Sequence, residues 1–220
     1  MTESESAVPR KRRVWRWIAL GVAAAVLVPV GFVVLPIFVH NNQGVSVQEE
    51  TEESWPTSVT AQGEDGRERV LEVAPADSVT PLDTSAIVEG ETVIVSGAGF
   101  DANQGIYVAV CAIPDDPATK PGPCLGGVPT TEQQEVEAGT IQFAPSNWIN
   151  DDWAWRLFGA RSFDDAELGT FTAYLELPNP VGEEVDCTRV ACGIYTRNDH
   201  TALRDRVQDV YIPLGFVASP

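Results

Sequence analysis

The sequence predicts an all-β domain of seven short strands packed as a sandwich, preceded by one membrane-spanning helix and an acidic stalk. Three observations carry this reading. Near the N-terminus, Trp17 to Val39 forms an uncharged, almost wholly apolar run of twenty-three residues. Beyond residue 68, short alternating or β-branched runs are separated by Gly, Pro, Asn and Asp, the punctuation of a strand-rich domain. Four cysteines fall in that second part and none in the first.

Residues 1–16 form a basic tail. Arg10, Lys11, Arg12, Arg13 and Arg16 stand against Glu3 and Glu5, so residues 1–40 carry +3. As a helix, the run 17–39 spans about 34 Å, against about 30 Å of hydrocarbon. Trp15 and Trp17 sit where an amphipathic ring meets headgroups. After the run no basic residue occurs until Arg67. The positive-inside rule therefore puts the N-terminus in the cytoplasm and the C-terminal domain outside a cell membrane crossed once. A cleaved signal has a shorter apolar core ending at a small-x-small site. Here Leu35-Pro36-Ile37-Phe38-Val39-His40 is bulky, so an uncleaved anchor is expected.

Residues 40–67 are polar and acidic around Glu49-Glu50-Thr51-Glu52-Glu53, which predicts a flexible linker. From 41 onward thirty acidic side chains face nine basic ones, a net charge of −21 that keeps an exported domain soluble and disfavours nucleic acid as partner. Predicted strands are 70–74, 92–96, 106–113, 141–143, 170–177, 190–196 and 209–216. One stretch departs from strand patterning. Asn150-Asp151-Asp152 precedes Trp153, Leu157 and Phe158 as an N-cap precedes a helical turn that ends near Gly159. With Trp148, Trp155 and Phe163 it makes 146–167 a Trp-rich insertion. Trp148, Trp153, Trp155, Phe158 and Arg156 are candidate partner contacts, Trp and Arg being enriched at binding hot spots.

Cys111, Cys124, Cys187 and Cys192, an even set beyond a membrane span, point to disulfides; three connectivities are possible, and pairing neighbours closes two short loops. The Cys-x12-Cys and Cys-x4-Cys spacings fit structural zinc poorly. The acidic doublets 115–116, 151–152 and 164–165 lack the alternating oxygen ligands of a calcium loop. No metal or cofactor is predicted. Gly97-Ala98-Gly99-Phe100-Asp101-Ala102 matches a permissive dinucleotide pattern but leads into a strand, so a hairpin turn is expected instead. His200 beside Asp199 has no Ser elbow or free thiol to complete a nucleophilic site, and the chain is expected to be no enzyme. Arg197, Asp199, His200 and Arg204 form a candidate ligand loop, with His200 held by hydrogen bonds or, alternatively, ligating haem. The interleaved charges of 197–209 predict local ion pairs.

Four stretches, taken in order, resemble the neocarzinostatin-like family of actinobacterial secreted domains. They are 70–75 (VLEVAP), 90–100 (GETVIVSGAGF), 105–112 (GIYVAVCA) and 186–192 (DCTRVAC). The ending 195–201 (YTRNDHT) with 205–213 (DRVQDVYIP) is similar to membrane-attached relatives. The resemblance covers residues 68–217. It implies a seven-stranded immunoglobulin-like sandwich over 68–220, with the pairs Cys111–Cys124 and Cys187–Cys192 and a cleft that shelters a small hydrophobic ligand in some members. The anchor, the Pro-rich first cysteine loop and the Trp-rich insertion depart from those members. The expected role is thus a non-catalytic, membrane-tethered accessory module for a protein partner in the membrane or envelope. The alternative is a binding protein for a hydrophobic small molecule or haem.

Overall fold

The computed structural model describes residues 10–77, 81–127 and 141–217, and of residues 10–13 and 32–39 the backbone alone. Residues 1–9 of the predicted basic tail lie outside that range. The chain divides into two units, Met1–His40 and Asn41–Pro220.

The first unit is one helix, α1 (Arg10–Val39), whose stretch Val14–Gly31 is apolar and long enough to cross a bilayer. Its Val, Leu, Ile and Trp side chains in that stretch are exposed, as a lipid-facing surface would be.

The second unit is two antiparallel sheets. One has five strands in the order β1 (Ser46–Gln48), β2 (Ser58–Gly63), β3 (Glu68–Pro75), β4 (Thr92–Ala98), β7 (Phe171–Glu176). The other runs β6 (Ser146–Ile149), β5 (Ile106–Ala112), β8 (Cys192–Asn198), β9 (Val210–Leu214). Alternation explains the packing: Leu71 and Val73, Val93 and Val95, and Phe171, Ala173 and Leu175 face inward from the first sheet. They meet Ile106, Val108, Val110, Ile149, Ile194, Val210 and Ile212 from the second in one core.

Two seams join the sheets. On one side Asn147 brackets Tyr174, its Nδ2 donating to the Tyr174 carbonyl at 2.9 Å and its Oδ1 accepting from the Tyr174 amide at 3.3 Å. On the other, the Ser46 amide donates to the Arg206 carbonyl at 3.3 Å, the Ser46 hydroxyl to the Val207 carbonyl, and the Tyr211 amide to Gln48 Oε1 at 3.2 Å. Both seams pair strand edges that would otherwise be open to another chain.

Several expectations change. Residues 40–67 are no flexible linker: β1 and β2 lie inside the acidic stretch, and the folded unit begins near Asn42 instead of residue 68. In β2 the polar Ser58, Thr60 and Gln62 alternate with Val59 and Ala61, which enter the core, a period-two pattern that the flanking acidic residues conceal. The described residues hold nine strands where seven were expected, and the predicted strand at 141–143 is not formed. The Gly97–Gly99 turn is no hairpin, because β4 and β5 belong to different sheets. Gly99 takes φ +81, and a Cβ there would meet the Glu68 carbonyl oxygen at 1.9 Å, so the crossover admits only glycine. Six predicted strands are present with shifted ends.

Both disulfides pair neighbours, Cys111–Cys124 and Cys187–Cys192. The acidic doublets serve turns: Asp116 accepts from the Ala118 amide, Asp151 from the Phe163 amide and Asp165 from the Glu167 and Leu168 amides.

Candidate functional site

One end of the sandwich gathers most of the chemistry-bearing side chains. It is formed where β5 begins, β6 and β8 end, and the turn α2 (Trp153–Arg156) projects. The centre is Asp199, which is fully buried. Its Oδ2 accepts from Trp148 Nε1 at 3.0 Å and Asn150 Nδ2 at 2.8 Å. Its Oδ1 accepts from Gln104 Nε2 at 3.1 Å, the Thr201 amide at 2.9 Å and the Thr201 hydroxyl at 2.6 Å. Every one of these donors is neutral, so the carboxylate is held by hydrogen bonds and not by the ion pairing expected from interleaved charges. Only glycine fits at 105, where a Cβ would stand 2.1 Å from Asp199 Oδ2 and 2.2 Å from Asn150 Nδ2.

His200 stands above this cluster, with Nδ1 2.9 Å from the Tyr107 hydroxyl. Trp155 meets its ring edge to face at 4.7 Å and Trp148 at 5.4 Å. Burial, helped by the nearby Asp199 carboxylate, pushes the Tyr107 phenol up to about 12. His200 is thus hydrogen-bonded and ring-packed. Among the described residues no group of three His, Cys, Asp or Glu side chains is placed to hold a metal ion.

Above the rings lies α2. Asp152 caps it, accepting from the Ala154 amide at 2.8 Å, and Gly159, at φ +99, turns the chain back so that the Arg161 amide bonds the Trp148 carbonyl at 2.8 Å. The turn leaves Trp153 74%, Leu157 73% and Phe158 61% exposed, while Trp155 is wedged between His200 and Trp148. Three large apolar side chains on one capped and ring-packed turn are unusual in so acidic a domain. Arg156 is exposed beside them. Trp148, expected at the contact surface, is instead buried at 7% exposure and supports the turn from below.

Arg197 is not part of this rim. It lies on the outer face of the four-stranded sheet, its guanidinium 5.6 Å from the Tyr107 ring. Burial lowers its pKa, and its Nε is buried with no hydrogen-bond partner among the described residues. Next to it Asp209 pairs with Arg206 at 2.8 Å, yet burial outweighs that cation and lifts Asp209 to about 7. Tyr195 and Tyr211 stack at 4.9 Å on the same face, over the Cys111–Cys124 disulfide. Arg204 is exposed, and its carbonyl accepts from Asn42 Nδ2 at 3.3 Å.

No protein-family model matches this chain, and no solved structure matches it. Among curated proteins it is similar to thiamine biosynthesis protein X of Corynebacterium glutamicum, at 29% identity over 136 residues. The match covers 61% of this chain and 60% of that protein, so the chain spans about three fifths of its relative.

The aromatic content of the rim was visible in the sequence; its scaffold was not. Gln104, Gly105, Tyr107 and Asn150 come from other strands and turns, and only the register of β5 between β6 and β8 brings them to Asp199. Asp199-x-Thr201 carried the one local signal, since a short polar side chain two residues before a hydroxyl favours such a turn.

Proposed function

We propose that this chain is a membrane-tethered extracytoplasmic interaction module, a non-catalytic accessory subunit that docks a protein partner through the α2 face. The observation that carries the reading is the exposed trio Trp153, Leu157 and Phe158 on a turn capped by Asp152 and packed from beneath by Trp155. Aromatic anchors fixed before binding lose little entropy on docking, the property of a binding hot spot. The apolar length of α1 supports the tether, and the basic residues preceding it support a cytoplasmic N-terminus. Asp199 and His200 serve as the brace in this reading, not as reactive groups. The ordered stretches resembling neocarzinostatin-like domains, with two antiparallel sheets and two disulfides on the four-stranded one, support kinship with that family. The name of the corynebacterial relative belongs to that protein, and a partial match at 29% identity carries no activity across.

Affinity purification of the full chain from native membranes in mild detergent tests the proposal. A protein should co-purify with wild type and be lost with Trp153→Ser/Phe158→Ser. Equal recovery with both, or a lone monomer from both, refutes it.

A further inference from the structure

The end of the sandwich that bears α2 is also the end at which the chain enters the domain. Asn42 Nδ2 donates to the Arg204 carbonyl at 3.3 Å, the Gln43 amide to Asp205 Oδ2 at 2.9 Å and the Arg206 amide to the Gly44 carbonyl at 3.0 Å. The same 199–206 loop presents His200 to Trp155 and leaves Leu203 51% exposed. From Val39, the last residue of α1, to Asn42 the chain takes three Cα steps, about 11 Å when fully extended. That length is a covalent limit and holds at any angle between the two units. The opposite end, with the Cys187–Cys192 loop and exposed Val190, lies a full strand away: β8 is seven residues, about 23 Å.

We infer that the partner of the α2 face is an integral membrane protein of the same bilayer, engaged at its extracytoplasmic rim. The inference rests on the tethered-docking reading above and narrows its partner. A partner in the same bilayer is the one whose distance from the α2 rim the short link limits. Bare lipid fits the α2 face less well than protein. The exposed Asp152 and half-buried Asp151 stand against the exposed Arg156, so the face carries no net positive charge to draw anionic headgroups. A fluid surface also gains nothing from the fixed geometry that the N-cap, the Gly159 turn and the Asp199 brace impose, whereas a protein pocket does. The tether holds both partners in one plane, so a small contact is sufficient through effective concentration.

The test is photo-crosslinking of the full chain in native membranes. p-Benzoylphenylalanine is placed at Leu157, at Leu203 as a second rim position, and at Val190 as the far-end comparison; all three side chains are exposed, so folding is spared. The inference expects a protein adduct from the rim probes that stays in the membrane pellet after alkaline carbonate, and none from Val190. Adding Trp153→Ser and Phe158→Ser to the chain bearing the Leu203 probe should abolish its adduct. An adduct partner released by carbonate overturns the inference and leaves the docking reading standing, whereas a stronger adduct from Val190 overturns both. Lipid adducts alone, or none from the rim probes, overturn both.

Discussion

Replacing Asp199 with asparagine puts the brace under the sharpest test. The carboxylate offers two accepting oxygens to five donors. An amide keeps one oxygen. If that oxygen faces Gln104 and Thr201, the new NH2 points at Trp148 Nε1 and Asn150 Nδ2, two donors meeting a donor. Asn150 gains nothing by flipping, because its Oδ1 already accepts from the Asp152 amide at 2.8 Å. The reverse orientation strands three donors instead of two. Each stranded buried donor costs about 1–3 kcal/mol, so Asp199→Asn is expected to cost about 2–6 kcal/mol. That is a large share of the 5–15 kcal/mol typical of a whole domain. Guanidinium unfolding of the full chain in detergent, followed by tryptophan fluorescence, measures it directly. Asp116→Asn serves as the exposed control, expected within about 0.5 kcal/mol of wild type. A loss below about 1 kcal/mol for Asp199→Asn would refute the claim that this carboxylate organises the rim.

Three further outcomes follow from the same geometry. Gly105→Ala should destabilise the domain by at least about 2 kcal/mol in that assay, since its Cβ collides with Asp199 and Asn150 and strands their hydrogen bonds. Asp209 binds its proton up to about pH 7 when folded but only to its ordinary 3.8 when unfolded. The folded state therefore holds more protons between those values, and the stability of wild type relative to Asp209→Asn should fall as pH rises from 4 to 7 and level off above. The fall should be on the order of a few kcal/mol; a rise would mean that Arg206 outweighs burial. Joint replacement of Cys111 and Cys124 by serine, which opens a loop of thirteen residues, should cost about 3 kcal/mol in the unfolding assay.

What the sequence disclosed and what it withheld divide along a physical line. Period-two alternation at Tyr107–Cys111 and Phe171–Leu177 disclosed strands: Val108 and Val110 enter the core, as do Phe171, Ala173 and Leu175, while Ala109 and Cys111 are buried on the opposite face of β5. The same signal sits in Ser58–Gly63, yet the acidic run before it and the Gly-Glu-Asp-Gly turn after it read as solvated chain. Local composition thus outweighed a six-residue pattern whose stability comes from pairing with β3 and from the Ser46 and Gln48 seam. β6 stayed hidden for another reason: Ser146, Asn147, Trp148 and Ile149 are all buried, so no polar alternation marks the strand. Both neighbouring cysteine pairs form, as the resemblance implied. The charged run 197–209 shows the opposite limit. It foretold ion pairs, and Arg206–Asp209 is one, but Asp199 recruits neutral donors from residues 49 to 95 positions away that no local pattern connects.

The most direct test of the central claim is native mass spectrometry of the full chain released from its own membranes in mild detergent, compared with Trp153→Ser/Phe158→Ser. Wild type should run at the mass of a complex with a second protein and the variant at its own mass, with both disulfides intact in each. Wild type and variant both running alone, or both retaining the same partner, would contradict it.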